Sequence, residues 1–329
     1  MKLGAAEVPT AELHVHLEGT VSLAMLLALA ARKDHPLDHP VFHAGPAGAW
    51  TDFATFLSAY EAAAAVFQEA DDYRWAAREY LCSLAADGAL YAELTVAPQL
   101  AARNGVGLAD LLEAVAEGIE QARDTTGIEA RILAAAVRHL DVGDAEQLAR
   151  AVVARGHPLV TGFGLAGDER VPASKFMQTF EITSAAGLGA SIHAGEVSGP
   201  KSVWDALALP IQRIGHGVRS IEDALLVAEI ARRGIVLECC PGSNVALGIY
   251  ADLAHHPIDA LRQAGVQVTL NSDDPAFFGT TLADEYRRSS ATFEWDAQHL
   301  RALTATALSA AFVDDDLKAK LLARLRAHG

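Results

Sequence analysis

Three short clusters in this chain carry side chains able to hold a metal ion: Leu13-His14-Val15-His16, Ile192-His193-Ala194-Gly195-Glu196 and Ser272-Asp273-Asp274-Pro275. His14 and His16 are two positions apart in an apolar run, and on a strand such positions point to one side. A pair of hydrogen-bonded core histidines explains that spacing equally well, and an Asp-Asp pair alone is a turn signal. His193 and Asp273, however, also close strand-like apolar runs, as does His216 in Arg213-Ile214-Gly215-His216. Together His14, His16, His193 and Asp273 form a nitrogen-rich donor set with one hard oxygen, which suits a zinc ion with an open position for water. Zinc lowers the pKa of its bound water toward ~7, so the chemistry in reach is hydrolysis at neutral pH. A two-metal site needs a bridging group on a middle strand, often a modified lysine. The third and fourth strand runs contain no lysine, which leaves one zinc per subunit.

Three further groups flank this set. Glu196 follows His193 in His-Ala-Gly-Glu and could be a ligand, a general acid or a carboxylate at a helix start. His216 could be a base, an orienter of the nucleophile, a fifth ligand or a structural histidine. Asp274 is a spare carboxylate beside the ligand Asp273.

The elements that must position these residues alternate. Strand candidates lie at Ala11–His16, Ala89–Val96, Glu129–Val137, Leu159–Gly164, Gly189–His193, Arg213–His216, Ile235–Cys239 and Gln267–Leu270. Amphipathic patterns separate most of them, among them Leu108–Arg123, Ala145–Arg155, Lys175–Ala186, Ile221–Arg233 and Pro257–Ala264. Eight such units predict an α/β fold, a (β/α)8 TIM-type barrel, with its active residues at the C-terminal ends of the strands. An open doubly wound sheet usually shows a Gly-rich phosphate loop after its first strand, and Leu17-Glu18-Gly19-Thr20 is not one. Residues 19–88 form a long helical insertion after the first strand, with patterns at Leu23–Arg32, Phe53–Gln68 and Tyr73–Ala86. Its apolar face (Phe53, Phe56, Leu57, Tyr60) would either cover the barrel mouth as a lid or pack on the barrel. Three helical patterns follow Thr281, and nothing divides residues 1–329 into separate domains.

The 329 residues are 51% hydrophobic, enough for a large core, and carry a formal charge of −16. That charge argues against nucleic acid and anionic membranes as partners and leaves a small molecule. Cys82, Cys239 and Cys240 are too few for a disulfide framework, and the last two are expected to be core strand residues rather than ligands. No run of about 18 apolar residues suggests a membrane span. A cytoplasmic protein is the expectation. His35, His39, His43, His255 and His256 sit in polar, proline-containing stretches and are expected to be solvated.

Five motifs, in order along nearly the whole chain, resemble those of the adenosine/adenine deaminases of the amidohydrolase superfamily. They are Glu12-Leu13-His14-Val15-His16-Leu17-Glu18-Gly19, Gly164-Leu165-Ala166-Gly167-Asp168-Glu169, His193-Ala194-Gly195-Glu196, Arg213-Ile214-Gly215-His216-Gly217 and Ser272-Asp273-Asp274-Pro275. The resemblance implies a (β/α)8 barrel holding one zinc that hydrolyses the 6-amino group of a purine and releases ammonia. By that likeness, His14, His16, His193 and Asp273 would hold zinc. Glu196 would protonate purine N1 as the nucleophile adds to C6, and His216 would orient and stabilise that nucleophile. Asp274 would hydrogen-bond to N7 and the Gly167 backbone to N3, with His16 and Glu18 also on the substrate side. Asp274 must be neutral to donate to N7; the charge of Asp273 pushes it that way and a zinc ion the other.

The substrate expected from the motifs is adenosine, giving inosine. Adenine and a modified nucleoside such as aminodeoxyfutalosine are alternatives, because Glu18 stands where adenosine deaminases usually show Asp. The stretch Asn271–Gly279 also leans toward the adenine-acting branch. Gly164 and Thr95 replace an acid and an arginine of the family pattern. A non-catalytic purine-binding protein and a barrel that cleaves amides or esters are the competing classes. The nucleic-acid deaminases need His-x-Glu with Pro-Cys-x-x-Cys, and neither spacing is present.

Overall fold

A computed structural model describes residues 8–35, 37, 39, 42, 50 and 52–328. Eight parallel strands pair in sequence order: β1 Thr10–His16, β2 Ala89–Val96, β3 Glu129–Val137, β4 Val160–Ala166, β5 Gly189–Ala194, β6 Arg213–His216, β7 Val236–Cys239 and β8 Gln267–Leu270. Helices alternate with them, and the result is a (β/α)8 TIM-type barrel. The strands are buried on both faces, hence their nearly continuous apolar runs. Strand boundaries differ from the sequence expectation by a residue or two, and helix ends by up to four. The helix expected at 221–233, for example, starts at Ala224 because Asp223 caps it, accepting from Leu225 N and Leu226 N.

The insertion at 19–88 divides into parts with different positions. Helix Ala70–Ala86 packs on helix Leu108–Thr126 so closely that a Cβ on Gly118 would lie 2.5 Å from Arg74 O. It thus fills the outer-layer place that a barrel reserves for the helix after β1 and does not cover the mouth. Its start is fixed by a reciprocal capping box between Glu69 and Asp72. Helix Phe53–Ala64, capped by Asp52, instead turns Phe53, Phe56, Leu57 and Tyr60 toward the C-terminal ends of the strands. His43 lies outside the described residues.

Three helices close the chain, at Leu282–Phe293, Ala297–Ala310 and Asp315–Ala327. Between the last two, Phe312 plugs the opposite end of the barrel. Its ring lies under Gly162 and Gly189, where any Cβ would collide with it, and 3.6 Å from the Arg213 guanidinium. With one end plugged, a ligand can enter only from the other.

Candidate active site

The residues singled out from the sequence converge at the open end. His14 Nε2 and His16 Nε2 each lie 3.4 Å from Asp273 Oδ1. The His193 ring centroid is 4.5 Å from that of His14 and 5.1 Å from that of His16. His216 Nε2 stands 3.6 Å from Glu196 Oε2 and 3.9 Å from Asp273 Oδ2. Two of these site residues use left-handed backbone without being glycine: His216 at φ 61° and Asp273 at φ 64°. Such conformations persist where the surroundings enforce them. Here each turns the chain sharply at a strand end and swings the side chain over the barrel axis. The approach is tight enough that a Cβ on Gly215 would lie 2.6 Å from His14 Cε1, and one on Gly19 1.9 Å from Asp274 Oδ1.

These donors fit a tetrahedral metal. Ligands about 2.1 Å from a zinc ion stand roughly 3.4 Å apart, which is the spacing observed between the two histidine nitrogens and Asp273. His14 Nε2 is buried and has no hydrogen-bond partner of good geometry, although its other nitrogen, Nδ1, meets Glu238 Oε2 at 2.7 Å. Burial disfavours a charged His14, but Asp273 and Glu238 outweigh it and push the pKa up to about 10. Positive charge is therefore favoured at this spot, whether carried by a proton or a metal. His193 is held neutral, first by burial and then by the neighbouring His14 and His16, which is the ligand form of imidazole. Burial also works against ionisation of Asp273, yet His216, His14 and His16 keep its pKa well below the ordinary carboxylate range. Cys240 Sγ lies within 4.8 Å of ligand atoms of His14, His216 and Asp273. Its thiol points to Glu238 O at 3.5 Å, and burial raises its pKa far above the thiol range, so it remains a protonated core group.

The other carboxyls are tuned the opposite way. Burial, then the charges of Asp273 and Glu169, push the Glu196 pKa well up. Burial and Asp273 do the same for Asp274, whose Oδ1 has no partner. Both favour the protonated, donating form beside an ionised Asp273. Burial lowers the His216 pKa to about 3. Asn244 Nδ2 faces His216 Nδ1 at 3.3 Å, and Asn244 Oδ1 faces His256 Nε2 at 3.1 Å. This pattern makes Nδ1 an acceptor and leaves the proton on Nε2, aimed at Glu196 and Asp273.

A concave chamber lies in front of these groups, as ligand sites do. His16, His193, Glu196, His216, Asp273 and Asp274 line its floor, and Gly167 (φ 94°) lines a side wall. Glu18 is not on the wall. It is fully buried, with Oε2 accepting from Tyr60 OH at 2.9 Å, so Tyr60 is the group that faces the chamber there. His256, expected to be solvated, is 3% exposed because it packs behind Asn244.

Several supporting residues escaped the sequence reading. Glu238 on β7 also accepts from Ser191 Oγ at 2.8 Å and pairs with Arg213, which in turn pairs with Glu93 on β2. Glu169 accepts from the backbone N of Glu196 at 3.1 Å and of Ser198 at 2.7 Å, fixing the loop that carries Glu196. A carboxylate inside an apolar strand run, as in Val236-Leu237-Glu238-Cys239, was the available signal: a buried charge needs a partner.

The sequence profile of the family described as adenosine deaminase matches residues 9–328. The adenine deaminase of Mesorhizobium japonicum is 45% identical over 317 residues, covering 96% of this chain and 97% of that protein. That of Chelativorans sp. is 47% identical over 318 residues, with 96% and 97% covered. The crystal structure of adenine deaminase from Arthrobacter aurescens superposes with a TM-score of 0.91 at 31% identity, covering 97% of this chain and 98% of that one. An amidohydrolase from Burkholderia ambifaria, solved with bound Zn, gives 0.90 at 27% identity, covering 98% and 91%. A full-length match of this kind, on a barrel whose open end gathers the expected histidines and carboxylates, places the chain in the adenosine deaminase family, metal-dependent hydrolases acting on a carbon–nitrogen bond of a cyclic amidine.

Proposed function

We propose that this protein is a zinc-dependent adenine deaminase, converting adenine and water to hypoxanthine and ammonia. This departs from the adenosine expected from the motifs and takes up the alternative. The observation that carries it is the full-length likeness, at 45% and 47% identity, to proteins named adenine deaminase. The chamber supports the change: Glu18, which stands where adenosine deaminases usually show Asp, is engaged by Tyr60 instead.

His14, His16, His193 and Asp273 would hold the zinc, which when bound supplies a water acidic enough to attack at neutral pH. The protein's own groups handle the purine. Glu196, kept protonated by its burial, gives its proton to N1, so that electrons displaced by addition at C6 settle on that nitrogen. His216 donates from Nε2 toward the incoming oxygen and orients it. Asp274, also favouring its neutral form, donates to N7, and the Gly167 N–H is placed for N3. Glu196, now a carboxylate, passes the proton of the new C6 hydroxyl to the 6-amino group, which departs as ammonia and leaves the C6 carbonyl of hypoxanthine. The other proton of the water restores Glu196 to its acid form.

The test is ammonia release and product formation on adenine and adenosine, with metal content measured on the same sample. The expected result is zinc near one per chain and kcat/KM at least about 100-fold higher for adenine, within the range that a missing substrate N–H can produce. A preference for adenosine would overturn the proposal.

A further inference from the structure

The floor of the chamber accounts for N1, C6 and N7 of a bound purine and Gly167 for N3, which leaves N9 without a partner. N9 is where a free base differs from its nucleoside: the base carries N–H and the nucleoside carries a sugar. N3 and N9 flank the same ring carbon, so whatever lies beside Gly167 faces both. The neighbour there is His139, in the turn after β3. A Cβ on Gly167 would lie 2.7 Å from His139 Nδ1, and Asp168 N is 3.5 Å from the same nitrogen. His139 Nε2 reaches across the chamber to Glu61 Oε1, at 2.9 Å, on helix Phe53–Ala64.

Both residues line the chamber, and the groups around them at that end are mainly apolar, among them Phe53, Leu57, Leu100 and Val137. Among the described residues, Glu61 accepts a side-chain hydrogen bond from His139 alone. His139 is 21% exposed and Glu61 38%, so the pair is accessible, and a ligand filling the chamber would cover it. One carboxylate oxygen is thus tied to His139 while the other is free to accept a proton donor from the ligand.

We propose that Glu61, positioned by His139, selects free base over nucleoside by accepting the N9–H of adenine. The inference rests on the adenine reading and on Gly167 lying against N3. An N9-substituted purine offers no hydrogen there. It would cover a charged acceptor without satisfying it and would press its substituent against the ion pair, so it is rejected both by the lost bond and by the cost of the unpaired charge. His139 is a positioning residue: it ties helix Phe53–Ala64 to the β4 loop and sets the direction of the carboxylate.

The experiment compares adenine with 9-methyladenine, which lacks the N9–H and adds only one carbon. Zinc-loaded wild type, Glu61→Ala, Glu61→Gln and His139→Ala would be used, with metal content and circular dichroism checked for each. For Glu61→Ala, kcat/KM on adenine should fall at least about tenfold, mostly through KM, and the adenine to 9-methyladenine ratio should narrow by a similar factor. Glu61→Gln, which keeps an acceptor oxygen, should retain more of the ratio than Glu61→Ala, and His139→Ala should fall between wild type and Glu61→Ala. If wild type releases no ammonia from adenine, the adenine reading fails and takes this inference with it. If wild type is active on adenine but the ratio is unchanged in Glu61→Ala, the assignment of Glu61 alone is overturned. The same holds if both substrates lose activity in equal proportion.

Discussion

Position and role separate clearly at the level of single residues. His14 and His16 were legible because a strand repeats every two residues, and His193 because an apolar run ended on it. The left-handed turns at His216 and Asp273 were not legible, since nothing local requires them; the packing around the site enforces them. Glu18 was expected toward the substrate, but Tyr60, distant in sequence, folds over it, and only the three-dimensional structure shows such a contact. Glu196 and Glu238 offer a paired test of this division. Glu196 faces the chamber and favours its protonated form, so Glu196→Gln should bind zinc normally and lose about 10²–10⁴ in kcat, the usual worth of a general acid. Glu238 never meets the chamber but orients His14 through Nδ1. Glu238→Gln should weaken zinc binding by about 10–100-fold, measured by competition with a chromogenic chelator. Normal turnover in the first variant removes Glu196 from the mechanism, and unchanged zinc affinity in the second removes Glu238 as an orienter of the ligand.

Individual elements show why the insertion was hard to divide from sequence. All three of its helical patterns are amphipathic, and amphipathicity says that one face is buried without saying against what. The helix expected to reach Gln68 ends at Ala64, and the next begins at Ala70 on the Glu69 and Asp72 box. Helix Phe53–Ala64 is held by ring contacts, with Phe56 5.0 Å from Phe278 and Tyr60 6.1 Å from Phe277, residues that follow β8. Its polar anchor to the loop after β1 is Tyr60 OH on Glu18. Burial pushes the Glu18 pKa up to about 7, and Oε1 has no partner, so loss of the phenol leaves a buried carboxyl with neither oxygen bonded. Tyr60→Phe should therefore cost about 1–3 kcal/mol in urea unfolding. The double change Tyr60→Phe with Glu18→Leu should cost less than the sum of the two single changes, because the orphaned group has been removed. Strict additivity would show that the bond does not anchor the helix.

The barrel as a whole has a seam, and the proposed metal sits on it. Every consecutive pair from β1–β2 to β7–β8 is joined by a parallel ladder. Between β8 and β1 the described pairing is one isolated bridge, Val15 with Asp273. Side chains take over the rest. Asn271 Oδ1 accepts from Leu13 N at 3.0 Å, and Glu12 accepts from Ser272 N at 3.0 Å and Ser272 Oγ at 2.8 Å. Of the proposed ligands, His14 and His16 belong to β1 and Asp273 follows β8, so an ion bound there ties the two sides together where the backbone ties them least. A ligand that binds only the folded state at 1,000 times its Kd adds about 4 kcal/mol, so chelation should lower Tm by several degrees. Asn271→Ala leaves the Leu13 N–H buried without an acceptor, a cost of about 1–3 kcal/mol. Seam and ion act on the same two strands, so reciprocity requires that a seam loosened by Asn271→Ala bind zinc more weakly and that chelation destabilise the barrel through the same edge. Calorimetry of wild type and Asn271→Ala, each with and without chelator, measures both arms. A Tm insensitive to chelation in a protein shown to be metal-loaded would mean that the ion sits on the seam without closing it.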